Sequence, residues 1–297
     1  MIPRTLSRLL VVLSLVLTGV APALAQQVRF GAISRDVVES RLREAPKKDA
    51  ERESLMEKIF RDAGCAPDQL GEQKVAHQKL PNVICVLPGE TDEKIVVGAH
   101  YDHVSAGAGV VDNWSGASLL PSLLEVLRQT PRRHTYVFIA FSAEEKGLVG
   151  SRFFVKQLSA SERAKIEAMI NMDTLGLSPT KVWVTQADPK LVQAIAKVAN
   201  SVKLPVSEMD VDKVGEADSI SFKRAGIPSI TIHSVTQETW PILHTSKDQL
   251  GAIHLDDYYD SFRLISVYLA YLDQTLEPSM DSSPTMGKYT SGQTESH

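Results

Sequence analysis

The amino-acid sequence predicts an α/β fold, in which helices cover both faces of a mostly parallel or mixed central sheet. Short apolar runs alternate along the chain with longer stretches of helical periodicity. Such alternation is typical of parallel sheets, because each helix carries the chain back to begin the next strand. The 297 residues are 43% hydrophobic and 23% charged, a balance that favours a globular chain over a disordered or membrane-embedded one.

Most of the predicted elements lie after residue 80. Strands are predicted at 82–87, 95–99, 135–141, 168–172, 182–185 and 229–233, and helices at 115–128, 150–158, 189–202 and 256–272. Before them, residues 34–65 combine charged side chains with spaced apolar ones, which predicts amphipathic helix interrupted near Pro46. Pro121 lies inside the first of the later helices and is expected to kink it.

One folded domain is predicted over residues 26–275, since no insertion is long enough to form a second. Residues 276–297 are mostly polar, with several Ser, Thr, Pro and Gly, and are expected to form a disordered tail. Cys65 and Cys85 are the two cysteines of the sequence, and they predict one disulfide in an oxidising compartment. Two buried thiols are the alternative.

Residues 1–25 have the features of a cleavable export signal. Arg4 and Arg8 precede an apolar run at 9–20, and Ala23-Leu24-Ala25 is a small-x-small cleavage site. The apolar run is shorter than the ~20 residues that span a bilayer, which favours cleavage over a membrane anchor. The mature protein is therefore expected to be exported to the periplasm or the extracellular space, without stable membrane insertion.

The charge of the chain gives no indication of a nucleic-acid partner. The formal net charge is -4, and the basic residues are scattered rather than clustered. Polyanion binding needs a concentrated positive surface. Nucleic-acid binding is therefore not expected.

Polar residues suited to metal binding follow several of the predicted strands. In parallel α/β sheets, ligands gather at the carboxyl ends of strands, where the loops converge. Taken singly, each of these residues is more often a turn or capping residue than a ligand. Together, two imidazoles and several carboxylates are the ligand types of a hydrolytic site with two zinc ions. In chain order the residues are His100, Asp102, Asp112, Glu144, Glu145, Asp173 and His244.

Two zinc ions held close together need a bridging carboxylate, and Asp112 is the best candidate. It follows a glycine-containing loop, after the strand that ends near His100 and directly before a predicted helix. His100 and Asp173 would hold one ion together with Asp112. His244 and Glu145 would hold the other.

Glu144 remains outside this ligand set. It lies beside the predicted metal site, where it can act as a general base and take a proton from the attacking water. Adjacent carboxylates such as Glu144 and Glu145 can hold different roles because their backbone directions diverge. The alternative for this pair is two solvated residues at the start of a helix.

Short motifs occur in a fixed order around these residues. They are Gly98-Ala99-His100-Tyr101-Asp102, Val111-Asp112-Asn113 with Ser115-Gly116, Phe141-Ser142-Ala143-Glu144-Glu145 with Gly147 and Gly150-Ser151, Asn171-Met172-Asp173, Asp218 to Phe222 with Gly226-Ile227-Pro228, and His244-Thr245. Together they resemble the signature of the M28 metallopeptidases over roughly residues 82–275.

The resemblance implies the metal assignments and the general base given above. It further implies an aminopeptidase that uses two zinc ions per chain to release residues from peptides with a free amino terminus. In similar enzymes the residue at the position of Asp102 accepts the remaining N–H of the metal-binding imidazole, here His100, and so orients it.

Three other functions remain open. A glutaminyl cyclase shares this fold and many metal-site residues but uses a single zinc ion, and the segment Asp112-Asn113-x-Ser115-Gly116 favours the peptidase. A noncatalytic binding module could keep the fold, although it has no chemical need for a complete ligand set. An M20-like aminoacylase or carboxypeptidase usually carries an inserted second domain, for which the chain has no room.

The sequence leaves the preferred side chain and the oligomeric state undetermined. Trp240, just before His244, is a candidate for the specificity pocket, with a buried core tryptophan as the alternative. His233 lies within a predicted strand and is expected to be structural rather than metal-binding.

Overall fold

A mixed sheet lies at the centre of the computed structural model, which describes residues 31–212 and 215–277. Its strands in this range are β1 (Leu70–Gln73), β2 (Asn82–Leu87), β3 (Lys94–His100), β4 (Thr135–Phe141), β5 (Ile166–Met172), β6 (Lys181–Val182), β7 (Ser207–Glu208) and β8 (Ser229–His233). Their order across the sheet is β1-β2-β4-β3-β5-β8-β6-β7. The central strands β4, β3, β5 and β8 are parallel, whereas β2 and β6 run antiparallel to them. The predicted mostly parallel or mixed sheet is confirmed.

Helices cover both faces of this sheet. They are α1 (Arg35–Arg43), α2 (Asp49–Asp62), α3 (Ser115–Ala117), α4 (Leu119–Leu127), α5 (Val149–Gln157), α6 (Ala160–Ala164), α7 (Pro189–Val202), α8 (Ser219–Lys223) and α9 (Leu255–Thr275). Side chains of β3 alternate between two cores: Ile95 and Val97 pack with α1, α2, α4, α7 and α9, whereas Val96 packs with α5 and α8. Because both faces of the central strands are buried, these strands are continuous apolar runs.

Two predicted elements differ from the structure. The strand expected at 182–185 is wrong beyond Val182: a 3₁₀ turn at Val184–Gln186 follows, because Asp210 accepts hydrogen bonds from the backbone N–H and hydroxyl of Thr185. The helix expected at 115–128 is divided between α3 and α4. Pro121 has no N–H to donate to the carbonyl of Ala117. The helix is accordingly interrupted at Ser118 instead of being kinked.

The amino-terminal helices and the disulfide agree with their predictions. α1 and α2 flank the predicted interruption near Pro46, and the Ser34 hydroxyl caps α1 by accepting the Val37 N–H. The Cys65–Cys85 disulfide joins the segment after α2 to β2, with 6.2 Å between the two Cα atoms. The segment predicted to be helical thus becomes covalently attached to the sheet.

The predicted ends of the chain are mostly untested. The signal at 1–25 and residues 278–297 of the predicted tail lie outside the described residues, so both stay predictions. In the part that the structure describes, no helix is long and apolar enough to cross a bilayer.

A buried histidine joins β4, β5 and α9 at the sheet end opposite the predicted site. His134 Nε2 lies 2.9 Å from Glu167 Oε2, and Nδ1 lies 3.3 Å from Asp273 Oδ1. Asp273 also accepts the backbone N–H groups of Arg133 and His134. Burial opposes the charged imidazolium, but hydrogen bonds to Asp273 and Glu167 outweigh it and raise the pKa of His134 above 6.5.

This raised pKa predicts a pH-dependent stability. The stabilisation is fully present below about pH 6.5, the pKa of an unfolded histidine, and is lost as the pH rises through the higher folded pKa. The free energy of unfolding of the wild type should therefore fall with rising pH relative to that of His134→Gln. Denaturant unfolding of both metal-free proteins across this range checks it. Parallel pH profiles of the two proteins would contradict the proposed role of His134.

Candidate metal centre

The structure brings the predicted polar residues together at the carboxyl ends of the central parallel strands. His100 is the last residue of β3, and Asp173 directly follows β5. Glu144 and Glu145 follow β4 after a short turn, in which Ala143 has a φ of 54°. Asp112 and His244 reach the same place from loops.

Asp112 lies between two imidazoles. Its Oδ1 is 3.2 Å from His100 Nε2, and its Oδ2 is 3.2 Å from His244 Nε2. Asp173 Oδ1 lies 3.8 Å from His100 Nε2, and Glu145 Oε2 lies 3.1 Å from His244 Nε2. The five residues thus form two trios that share Asp112, and the ligand atoms within each trio lie within 4.8 Å of one another.

The protein groups alone leave this cluster rich in negative charge and bound protons. Burial raises the pKa of Glu145 to about 7 and that of Glu144 well above its usual range. A hydrogen bond to Asp112 raises the pKa of His244 to about 9. Burial opposes ionisation of Asp112, but hydrogen bonds from His100 and His244 outweigh it and lower the pKa of that carboxyl. A cation bound among these groups would offset the negative charge that burial disfavours.

The donor set fits zinc. Zinc in hydrolytic sites is held by imidazole nitrogens and carboxylate oxygens, with a position left for water or substrate, and each trio offers one imidazole and two carboxylates. Glu145 Oε1 is buried and has no hydrogen-bond partner within residues 31–212 and 215–277. Such an orphaned acceptor is costly unless a ligand compensates it, so the site is suited to a bound cation.

Asp102 makes contacts that differ from the expected one. His100 Nδ1 lies 3.1 Å from the backbone carbonyl oxygen of Asp102, whereas the nearer carboxylate oxygen is 3.7 Å away. The carboxylate instead accepts the backbone N–H groups of Glu144 and Glu145, at 3.0 and 3.3 Å. Asp102 therefore orients the imidazole through its main chain and holds the turn that carries both glutamates through its side chain.

Two further residues hold the loop of Asp112, and neither role was predicted from the sequence. Asp248 accepts the backbone N–H groups of Val111 and Asp112, at 2.7 and 3.2 Å. Asn113 donates to the Met172 carbonyl at 2.9 Å, which ties this loop to the strand that precedes Asp173. Asp248 is only four residues after His244, which could have marked it as a residue near the site. Its partner loop lies far away in the chain, so the sequence offered no sign of which residues it contacts.

A cavity of about 440 Å³ opens beside the two trios. Its apolar wall consists of Trp183, Val211, Ala217, Val235, Trp240, Pro241 and Leu243. Trp240 is half-buried and lines this cavity, rather than lying in the core. His233 also lines the cavity: Nε2 lies 2.9 Å from the Met209 carbonyl, and Nδ1 accepts the Val235 N–H. Burial lowers the pKa of His233 to about 4, so this imidazole is uncharged at neutral pH.

The model of peptidase family M28 matches residues 82–269 of the chain. Leupeptin-inactivating enzyme 1 of Streptomyces exfoliatus is 36% identical over 151 residues, which are 50% of this chain and 34% of that protein. Aminopeptidase YwaD of Bacillus subtilis is 32% identical over 167 residues, or 54% of this chain and 36% of that protein. The chain therefore spans about a third of the length of these relatives.

Solved structures share the fold. A zinc aminopeptidase from Bacillus subtilis superposes with a TM-score of 0.59 at 27% identity, covering 64% of this chain and 49% of that one. A glutaminyl cyclase from an Acidobacteriales bacterium superposes with a TM-score of 0.69 at 20% identity, covering 81% of this chain and 93% of that one. At 20% identity the second likeness is evidence for the fold alone.

Proposed function

This chain belongs to peptidase family M28, and from that premise we propose that it is an aminopeptidase with two zinc ions in the site described above. The observation that carries the proposal is the position of Asp112, whose two carboxylate oxygens each lie 3.2 Å from a different imidazole. One shared carboxylate between two trios is the arrangement needed to hold two cations ~3.5–4 Å apart.

The five ligands divide as their distances suggest. His100 and Asp173 would hold one ion with Asp112, and His244 would hold the other with Glu145 and Asp112. When bound, the ions would supply Lewis acidity that activates water, polarises the scissile carbonyl and offsets the negative charge of the transition state.

Glu144 is the proposed general base. It lies beside both trios, with Oε2 3.9 Å from His100 Nε2, and its backbone is held by Asp102. The carboxylate would accept a proton from the attacking water and then pass it to the leaving amine. Burial raises the pKa of Glu144, and positive charge held by the two trios would favour the ionised carboxylate that the first transfer needs.

The cavity beside the trios is proposed to hold the first residue of the peptide. Glu144 lines this cavity and lies outside the ligand set, so its carboxylate would attract a terminal ammonium group. The lining also contains the two tryptophans Trp183 and Trp240, together with Glu216, whose carboxylate is paired with Arg152 and Arg224. A large apolar side chain would bury its surface against the apolar residues, whereas a charged one would lose hydration and would find Glu216 already paired.

A panel of aminoacyl-nitroanilides tests this function. Leucyl and phenylalanyl derivatives with a free amino group should be hydrolysed, and their acetylated versions should be nearly inert, because acetylation removes the positive charge. Lysyl and aspartyl derivatives should react more slowly. Activity should vanish with a chelator and return with zinc. Comparable zinc-dependent rates on acetylated and free substrates would contradict the aminopeptidase assignment while sparing metal-dependent hydrolysis in general.

Glutaminyl cyclisation is the second candidate, because cyclases share many of the metal-site residues and the sequence resemblance leaves this function open. A peptide that begins with glutamine separates the two. Release of free glutamine supports the peptidase, whereas pyroglutamyl peptide as the sole product would support the cyclase.

Action outside the cytoplasm is part of the proposal. Disulfides persist mainly in oxidising compartments, and the Cys65–Cys85 bridge adds to the export signal expected at 1–25. Amino-terminal sequencing of protein from cell fractions should find a chain that begins near Gln26 in the exported fraction. An unprocessed chain confined to the cytoplasm would contradict export.

A further inference from the structure

A fully buried arginine lies behind the metal centre. Arg52 belongs to α2, ahead of the residues that the family model matches, and none of its surface is exposed. Its guanidinium donates to four backbone carbonyls, those of Pro46 (3.0 Å), Tyr101 (3.0 Å), Ala108 (2.6 Å) and Gly109 (3.0 Å). Burying an arginine costs desolvation energy that such bonds must offset, so an apolar side chain would suffice if packing were its only role.

Three of these carbonyls belong to the loop that follows His100 and to the loop that leads to Asp112, two ligands of the first trio. Tyr101 directly follows His100, and Ala108 and Gly109 lie in the loop that leads to Asp112. One side chain therefore connects two segments whose imidazole and carboxylate must lie close together.

The surroundings of the guanidinium fit this connection closely. Gly109 has a φ of 57°, and a Cβ atom there would come within 2.9 Å of Arg52 Nη2. The Arg52 guanidinium also lies over the ring of Trp114, 5.6 Å from the ring centroid. Trp114 is two residues after Asp112, so the arginine contacts the chain both before and after this ligand.

The same loop is held from its other side by a carboxylate. Asp248 accepts the N–H groups of Val111 and Asp112 and, through its own carbonyl, the N–H of Ala108. Carbonyls of the loop thus face a cation, and its N–H groups face an anion. This pairing fixes the backbone of Asp112 with charge-assisted hydrogen bonds, which are the stronger kind.

We propose that Arg52 is a positioning residue of the metal centre, because its guanidinium fixes the His100 and Asp112 loops at the spacing that zinc binding needs. The inference rests on the proposed two-zinc function. Groups that orient metal ligands typically contribute about 10- to 100-fold to metal affinity. The loss of Arg52 should therefore weaken zinc binding beyond any general loss of stability.

The test compares Arg52→Met with Arg132→Met in the full chain. Arg132 also donates to backbone carbonyls, those of Pro88, Leu127 and Thr130, but at the opposite end of the sheet from the metal centre. Zinc affinity is measured by competition with a chromophoric chelator, and melting temperature is measured on the metal-free proteins. Arg52→Met should bind zinc about 10- to 100-fold more weakly. Arg132→Met should keep wild-type zinc affinity even where its melting temperature falls.

Wild-type zinc affinity in Arg52→Met, or an equal loss of affinity in Arg132→Met, would overturn the positioning role. If Arg52→Met does not fold, Arg52→Lys decides, since it keeps the charge but cannot reach both loops; unchanged zinc affinity in that variant would overturn the role as well. A wild-type chain that binds fewer than two zinc ions would instead overturn the proposed function, and the inference with it.

Discussion

Glu144→Gln is expected to lower turnover by at least about 100-fold, the scale typical of a lost general base. The amide has nearly the shape of the carboxylate but cannot take a proton from the attacking water. The backbone N–H of residue 144 keeps its bond to Asp102, so the turn that carries Glu145 should keep its conformation. Steady-state kinetics on leucyl-nitroanilide, with zinc counted in the same preparation, checks the prediction.

This variant should bind as much zinc as the wild type. Glu144 is not needed to complete either of the two trios that share Asp112, although its carboxylate also lies within 4.8 Å of ligand atoms of His100 and Glu145. If Glu144→Gln retained near-normal turnover, or held less than half of the wild-type zinc, its assignment as the base would be wrong.

Glu145→Gln is the matched change one residue later, and it should act on the metal instead. Glu145 Oε2 lies 3.1 Å from His244 Nε2 and completes the second trio. A neutral amide is a much weaker zinc ligand than a carboxylate, so the zinc content should fall from two ions toward one. Activity should fall with it. Elemental analysis after gel filtration distinguishes the two variants before any kinetics.

The addition of excess zinc also distinguishes the two variants. Excess zinc should partly restore Glu145→Gln, because the loss is one of affinity, and should leave Glu144→Gln unchanged. Two tightly bound ions in Glu145→Gln at wild-type affinity would remove Glu145 from the ligand set.

The sequence predicted the central sheet because parallel strands buried on both faces are continuous apolar runs that local pattern can identify. It also predicted that His100 and Asp173 would lie near one another, since the carboxyl ends of neighbouring parallel strands meet at one edge. The prediction of a strand at 182–185 was wrong because the end of this strand depends on a long-range hydrogen bond, from Thr185 to Asp210.

The residues that hold the ligand loops in place were harder to predict than the ligands themselves. Arg52 and Asp248 are joined to the Asp112 loop across at least 56 and 136 positions, and no local pattern records such partners. The contacts of Asp102 illustrate the same limit. The family resemblance implied contact between Asp102 and the imidazole, but which atom makes that contact depends on the turn that holds Glu144 and Glu145.

The central claim is that two zinc ions share Asp112, and anomalous diffraction at the zinc edge from crystals of the zinc-loaded protein tests it most directly. We expect two peaks ~3.5–4 Å apart, one beside His100 and Asp173 and the other beside His244 and Glu145. A single peak at full zinc saturation, or a pair of peaks not bridged by Asp112, would contradict the account.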